Sequence, residues 1–485
     1  MPVSPAEMPA SRRVVVVDLD NTLIKADTLH EQLARIVFQK PRLLPQLLGA
    51  LFKGKAAFKD FCAEAVVLDP GNLDTCDEVL AYLAKEQERG SYLVLCTAAD
   101  HRVARLVADH LGIFDEVIAT EAGVNLKGEA KAAMLARRFP QGFVYAGDHA
   151  SDLVVWAKAD GIVLVGVSAS VARRASALGK PIIAEFRSRA QRPRLLQVWP
   201  RALRVHHWSK NLLMFVPLIL AHAWGDLGMV VHTGLGFALL LLISSSSYLI
   251  NDIADIDADR RHLTKRYRPV ASGQLPLMQA VLFPVLVIPC TLVAALVLDR
   301  AFALALGAYL VLTLAYSFGL KRIPLLDTFI IAVLFTLRLI MGVALLGGPM
   351  PIWLLTFSMF FFFSLATAKR HVEIVQARGA KDSMLRGRGY EADDWPLTLT
   401  FGIGSGLASL IILVLYMVDE AFRAVGYGRP EYLWAVTLLV AIWIGRIWLL
   451  THRGRMHDDP VSFALRDWPS RFLAICVAVF FLAAL

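Results

Sequence analysis

Asn251-Asp252-Ile253-Ala254-Asp255-Ile256-Asp257-Ala258-Asp259 ends an apolar run that starts near residue 229, and Arg260 and Arg261 follow it at once. On a continuous helix, at about 100° per residue, Asp252, Asp255 and Asp259 would share one narrow face, with Asn251 at its edge and Asp257 turned away. Clustered carboxylates repel one another, so three of them at the mouth of an apolar helix call for a cation. An all-oxygen ligand set selects a hard ion such as Mg²⁺, which usually brings a phosphate or diphosphate with it.

Outward from this stretch the chain falls into two unlike parts. Its 485 residues are 56% hydrophobic, too many for one ordinary domain and too apolar to be soluble throughout. Up to about Arg204 charges occur in every segment; beyond Asn211, apolar runs of about 20 residues recur, the length a helix needs to cross a bilayer. The boundary lies near 185–210, giving an N-terminal domain over 1–185, a basic linker over 186–210 and a membrane domain over 211–485. Met1 to Arg13 is polar and no secretory signal is visible, so the N-terminal domain is expected in the cytoplasm. Five scattered cysteines, without a CxxC pair, suggest neither a disulfide framework nor a zinc site. No fixed-period repeat is found, and low complexity is confined to Ser244–Ser247. The net charge of +9 gathers beside apolar spans, which points to membrane lipids and away from nucleic acid.

In the N-terminal part, Val14–Val17 reads as a buried strand that delivers Asp18 and Asp20 at its carboxyl end, within Asp18-Leu19-Asp20-Asn21-Thr22. Ser91–Thr97 repeats the plan with a hydroxyl at Thr97, and a third strand, Gly142–Ala146, runs into Gly147-Asp148-His149-Ala150-Ser151-Asp152. Lys131 lies between the second and third strands. Strands alternating with helical segments predict a parallel sheet. A carboxylate can take a phosphoryl group, a second can donate and then abstract a proton, and Mg²⁺ on further acids neutralises the phosphate. The pattern resembles the haloacid dehalogenase (HAD) phosphatase superfamily, an α/β Rossmann-like fold. The resemblance implies Asp18 as nucleophile, Asp20 as acid/base, Thr97 and Lys131 on the phosphoryl oxygens, and Mg²⁺ at a centre of Asp18, Asp20, Asp148 and Asp152. Lys127 competes with Lys131, and Asn21 stands where many relatives carry Gly. The helical periodicity of about 28–75 predicts a cap that restricts which phosphate esters enter; its apolar stretch Leu43–Phe52 suits cap core or a lipid-facing surface.

The linker, with Arg187, Arg189, Arg192, Arg194, Trp199, Arg201, Arg204, Trp208 and Lys210, suits a headgroup-level interfacial helix. Nine spans are expected, at about 211–227, 229–250, 277–298, 301–318, 325–346, 351–370, 397–417, 431–450 and 470–485, the first and last short. The loops bearing Arg260 to Arg268, Lys321 and Arg322, Lys369 to Arg388, and Arg453 and Arg455 fall on one side. The other side has little more than Arg300, Arg423 and Arg429. The bias orients a multi-pass protein of the inner membrane with the acidic stretch and the N-terminal domain both cytoplasmic. Tyr316, Lys321, Arg322, Asp327, Lys369, Arg370 and Glu373 point to that face. Arg338, deep in the fifth span, is a functional candidate with Asp327 or a bound phosphate as partner. The charged group Asp458, Asp459, Arg466 and Asp467 reads as structural.

The NDxxDxxxD run, the nine spans and the entry Trp208-Ser209-Lys210-Asn211 resemble the UbiA superfamily of intramembrane prenyltransferases, an all-α polytopic fold. In that family the Asp-rich motif holds Mg²⁺ and a diphosphate. The run Tyr316–Asp327 and Ala368-Lys369-Arg370-His371-Val372-Glu373 stand where aromatic prenyltransferases carry a second Asp-rich motif. They are similar instead to the decaprenyl-phosphate phosphoribosyltransferase branch. That resemblance implies transfer of 5-phosphoribose from phosphoribosyl pyrophosphate (PRPP) to a polyprenyl phosphate. Asn251, Asp252, Asp255 and Asp259 would hold Mg²⁺, while Lys210, Lys321, Arg322, Arg338, Lys369 and Arg370 would face phosphates. The HAD domain would then remove the 5-phosphate. Prenyl transfer to an aromatic acceptor and a non-catalytic membrane scaffold or lipid carrier are the alternatives; a homo-oligomer is compatible with each.

Overall fold

The computed structural model describes residues 12–121, 126–186, 195–379, 388–422, 427–456 and 460–485. The basic residues Arg187, Arg189, Arg192, Arg194, Lys381, Arg386 and Arg423, and the acids Asp458 and Asp459, lie outside the described residues. The chain divides into two compact units, Met1–Leu203 with Asp252–Phe283, and Arg204–Asn251 with Pro284–Leu485. The acidic stretch from Asp252 onward therefore packs as part of the N-terminal unit.

In that unit β1 (Val14–Val17), β2 (Tyr92–Asp100), β3 (Glu116–Thr120), β4 (Val144–Gly147), β5 (Gly161–Val165) and β6 (Ile182–Phe186) form a parallel sheet in the order β3-β2-β1-β4-β5-β6. The four valines of β1 are all buried. Val15 and Val17 pack with Leu83 and Leu95 on one face, Val14 and Val16 with Tyr145 and Trp156 on the other. A strand covered on both faces needs an unbroken β-branched run, which is what the sequence supplies. The sheet winds one way from β1 to β2 and the other from β1 to β4, so a crevice opens beyond the carboxyl ends of these strands. Asp18 and Asp148 follow β1 and β4 there, and Thr97 lies in β2 two residues beyond its last pairing with β1.

Helices α1 (Thr28–Gln39), α2 (Leu44–Phe52), α3 (Lys55–Ala65) and α4 (Asp77–Glu88) lie between β1 and β2, the first three in the segment whose periodicity predicts a helical insertion. The Asp27 carboxylate caps α1 by accepting from the His30 backbone N–H at 3.1 Å. α2 leaves Leu48, Leu51 and Phe52 exposed. The other crossovers are α5 (His101–Leu111), α6 (Glu129–Arg138), α7 (Leu153–Lys158) and α8 (Ala169–Ser176), followed by α9 (Leu195–Ala202).

The expected first span, 211–227, is no continuous helix. A 3₁₀ helix, Val205–Phe215, leads into the short α10 (Val216–Leu220), and a further turn occupies Ala223–Gly225. Pro217 in the first turn of α10 has no N–H to donate back into the preceding turn. Trp208 and Asn211 instead donate to the hydroxyls of Ser245 and Ser244, at 3.2 Å each. Among the described residues seven helices are long and apolar enough to cross a bilayer. They are α11 (Leu227–Ala254), α13 (Leu277–Leu298), α14 (Arg300–Phe318), α15 (Leu326–Leu346), α16 (Ile352–Gly379) and the helical runs containing α17 (Trp395–Tyr416) and α18 (Leu433–His452). Between α11 and α13 comes α12 (Ile256–Arg261); α19 (Pro460–Arg466) and α20 (Trp468–Ala484) close the chain. The 17 residues of α20 reach about 26 Å at 1.5 Å per residue, short of a hydrocarbon core of about 30 Å.

Two candidate active sites

The first site forms at the carboxyl ends of β1, β2 and β4 and encloses a cavity of about 430 Å³ lined by Asp18, Asp20, Lys59, Lys127, Lys131 and Asp148 among others. The Asp18 carboxylate accepts from the Leu19 N–H at 2.8 Å and faces the Lys131 ammonium at 3.1 Å. Lys131 is only 3% exposed; it also donates to the Cys96 carbonyl at 3.2 Å and the Tyr145 hydroxyl at 2.9 Å. Burial alone would depress this ammonium, but the Asp18 carboxylate and its neighbours hold it above the usual lysine range. Lys127, the competing lysine, also lines the cavity, from an exposed position. Thr97 is fully buried and its hydroxyl accepts from the Ala99 N–H at 3.0 Å.

Asp20 accepts from the Thr28 backbone N–H, the first residue of α1, at 2.8 Å. Burial, then the neighbouring Asp27 carboxylate, push Asp20 up to about 8 against the opposing pull of that N–H. Both causes favour the protonated carboxyl. Asn21 adopts φ 56°, the left-handed conformation that Gly and Asn tolerate best. Asp152 accepts from the Asp148 and His149 N–H groups at 3.2 and 3.0 Å and from Tyr145 at 3.3 Å. Oxygens of Asp18, Asp148 and Asp152 lie within 4.8 Å of one another. Three converging carboxylates, two of them buried, fit a hard divalent ion such as Mg²⁺.

The acidic stretch departs from a single helical face. α11 ends at Ala254, Asp255 sits at the break with φ −93° and ψ 9°, and α12 restarts at Ile256. Asp252 and Asp259 are buried and both accept from the Arg268 Nη1, at 3.2 and 2.6 Å. Two buried acids around one guanidinium nitrogen frame a position suited to positive charge, and their oxygens suit Mg²⁺. Asp255 is half-buried. Asp257 points elsewhere and accepts from Arg35 of α1.

In the second unit, Asp327 is fully buried and accepts from Arg370 Nε at 2.9 Å and Nη2 at 2.8 Å, and from the Tyr390 hydroxyl at 2.6 Å. Arg370 also contacts Glu373. Arg388 donates to the Tyr316 hydroxyl at 2.5 Å and lies 4.0 Å from Asp327. Arg338 does not pair with Asp327. Eleven residues along a helix put about 16 Å between them however well the faces agree. Arg338 instead donates to Asn211 at 2.8 Å and Tyr309 at 3.0 Å. Lys321 and Arg322 form a 3₁₀ turn with Leu320. Lys210, Asn251, Lys321 and Lys369 are half-buried and Arg322 is exposed. An apolar cavity of about 450 Å³ lies among Leu339, Phe357, Phe361, Val440, Trp443 and Leu473.

Sequence reasoning missed Lys59, Tyr145, Arg268, Arg388 and Tyr390. For Tyr145 a signal existed, because a hydroxyl inside a buried strand must find partners. Tyr390 and Arg388 sit in a loop without periodicity, and only folding brings them to Asp327 and Tyr316.

Residues 212–482 match the UbiA prenyltransferase family, and residues 15–155 match the haloacid dehalogenase-like hydrolases. The chain is 41% identical to the Sinorhizobium fredii protein y4nM over 97% of its own length and 91% of that protein's. It is 30% identical to the decaprenyl-phosphate phosphoribosyltransferase of Mycobacterium tuberculosis, over 57% of this chain and 90% of that enzyme. Among solved structures, a UbiA homolog from Archaeoglobus fulgidus bound to GPP and Mg²⁺ covers 59% of this chain and 96% of its own, at 18% identity and a TM-score of 0.44.

Proposed function

The chain belongs to the UbiA prenyltransferase family, is an integral membrane protein and carries a haloacid dehalogenase-like hydrolase region in front of its membrane helices. On that premise we propose that the membrane domain, about 211–485, moves 5-phosphoribose from PRPP to a polyprenyl phosphate. The N-terminal domain, about 1–185, then removes the 5-phosphate. The observation that supports this most is the relation to the mycobacterial decaprenyl-phosphate phosphoribosyltransferase over 90% of that enzyme's length. Such a transfer leaves a phosphate monoester on a membrane-bound product, the substrate class the polar cavity beside Asp18 suits.

In the transfer, an oxygen of the lipid phosphate attacks the anomeric carbon of PRPP, the bond from that carbon to pyrophosphate breaks, and a phosphoribosyl lipid and pyrophosphate result. Lys210, Lys321, Arg322 and Lys369 hold the anionic phosphates; Arg370 is taken up by Asp327 and Glu373, and Arg338 by Asn211 and Tyr309. In the second reaction the Asp18 carboxylate attacks phosphorus while Asp20 gives its proton to the departing ribose oxygen. Water, losing a proton to Asp20, then releases inorganic phosphate from the aspartyl phosphate. Thr97 and Lys131 hold the phosphoryl oxygens. Asp18, Asp148 and Asp152, with Asp20 beside them, would hold Mg²⁺ in one site, and Asn251, Asp252, Asp255 and Asp259 would hold it in the other; the ion would supply positive charge for the phosphate and for the departing pyrophosphate.

The helices over 28–75 act as the cap over the phosphatase, and the 186–210 linker lies at the headgroup level. Both sites face the cytoplasm from the inner membrane. The test is incubation of the purified protein with Mg²⁺, a polyprenyl phosphate and labelled PRPP, with wild type and Asp18→Asn side by side. A phosphorylated ribosyl lipid accumulates in the variant and a dephosphorylated one in wild type. Label that never enters the lipid with folded protein sinks the phosphoribosyl reading and directs attention to aromatic acceptors.

A further inference from the structure

Helix α1 joins two pieces of chemistry far apart in the chain. At its start, the Thr28 N–H holds Asp20 at 2.8 Å. One turn on, Glu31, 2% exposed, receives Arg260 of α12 through Nη2 at 2.7 Å and Nη1 at 3.2 Å. A further turn on, Arg35 bridges Glu31 at 2.6 Å and grips Asp257 through Nη2 at 2.7 Å and Nε at 3.2 Å. Gln39, at the helix end, donates to the Ala254 carbonyl at 3.2 Å. Arg260 is fixed from its other side by the Ala271 carbonyl at 3.2 Å, and the residue before it is Asp259 of the acidic stretch.

Both guanidiniums use their planar forks on carboxylates, a geometry that fixes orientation as well as distance. Burial by itself pushes the Glu31 carboxyl up, and Arg260 and Arg35 more than reverse it, so Glu31 remains an anion. Burying Glu31, Arg35 and Arg260 carries a desolvation penalty that an apolar contact of the same shape would avoid, so stability alone does not explain the cluster. What it supplies is register. One helical turn separates Thr28 from Glu31, and one peptide bond separates Arg260 from Asp259.

We propose that Glu31, Arg35, Asp257 and Arg260 form a latch of positioning residues through which α1 sets Asp20 in the phosphatase site and α12 sets Asp259 in the acidic stretch. The two activities then depend on one shared element although none of the four touches substrate. This rests on Asp20 and Asp259 having the roles proposed above.

The test uses the full chain in detergent and two readouts: hydrolysis of p-nitrophenyl phosphate, which needs no PRPP, and transfer of labelled phosphoribose to lipid. Glu31→Gln and Arg260→Gln are each expected to lower kcat for p-nitrophenyl phosphate by about tenfold or more, with KM changed far less, because a misplaced acid acts in the transition state. The same variants lose transfer. The double variant is no slower than the worse single one, because the pair works as a unit. Arg260→Lys, which keeps the charge but not the fork, recovers part of the loss. If Glu31→Gln fails to fold, Asp257→Asn at the half-exposed rim serves in its place. Unchanged kcat in both assays, losses that multiply in the double variant, or a fall in melting temperature alone would overturn the latch. A wild type that hydrolyses p-nitrophenyl phosphate but ignores PRPP removes the transfer reading, and the phosphatase arm still decides the latch.

Discussion

Replacing Lys131 with Met removes the one ammonium that reaches Asp18 among the described residues and keeps most of the side-chain volume. In wild type that charge lies 3.1 Å from the Asp18 carboxylate. At an effective dielectric constant of about 20 this is a gross attraction of about 5 kcal/mol, an upper bound for the net effect. During hydrolysis the same ammonium faces phosphoryl oxygens whose charge is being redistributed. Loss of one aimed donor in such a site costs about 3 to 4 kcal/mol, or a kcat lower by about 10² to 10³. Lys131→Met also leaves the Cys96 carbonyl without this donor, at about 1 to 3 kcal/mol of stability. In Mg²⁺-free buffer the melting temperature therefore falls, and added Mg²⁺ restores part of it by supplying positive charge beside Asp18 and Asp152. The assay is hydrolysis of p-nitrophenyl phosphate by the purified full chain, with Lys127→Met as comparison. If Lys131→Met stayed within about threefold of wild type while Lys127→Met lost about a hundredfold, the reasoning would be refuted and the phosphate-holding role would pass to Lys127.

The acid Asp20, pushed up to about 8 by burial and Asp27, must be protonated to serve the leaving group, so kcat/KM for the phosphatase should fall as pH rises through about 8. Bound Mg²⁺ should move that limb to lower pH, and Asp20→Asn should abolish it; a profile level across this range in wild type would contradict the assignment. In the second unit, Asp327→Ala leaves the Arg370 guanidinium, which is 1% exposed, with Glu373 as its remaining carboxylate and should cost about 3 kcal/mol, the lower end for a broken buried pair. Tyr390→Phe removes the donor to Asp327 and the acceptor for the Leu325 N–H and should cost about 1 to 3 kcal/mol. Both are read from unfolding midpoints in SDS titrations, and an Asp327→Ala chain as stable as wild type would show that the pair carries no such weight.

Much of this architecture is legible in local sequence because its causes are local. Four valines followed by Asp18 and Asp20 require a buried strand that ends at a crevice, since only a strand covered on both faces tolerates such a run. Apolar stretches of bilayer length predict membrane helices for the same reason, and among the described residues seven long apolar helices follow them. The first expected span is the exception. Its hydropathy satisfies the rule, yet Pro217 interrupts the ladder and Trp208 and Asn211 find partners on Ser245 and Ser244, which no hydropathy window registers.

What tertiary structure alone decides are the pairings between distant segments. Periodicity places Asp252, Asp255 and Asp259 on one face, but the chain breaks at Asp255, and Arg268 joins Asp252 to Asp259 across that break. Asp327 and Arg338 share a helical face, yet the length of that helix keeps them apart while folding delivers Arg370 and Tyr390 to Asp327. Glu31 and Arg260 are 229 residues apart and meet at 2.7 Å. Periodicity and propensity act over a turn or a strand, whereas a buried charge takes whichever partner the completed packing brings within reach, and that choice is made by the whole chain.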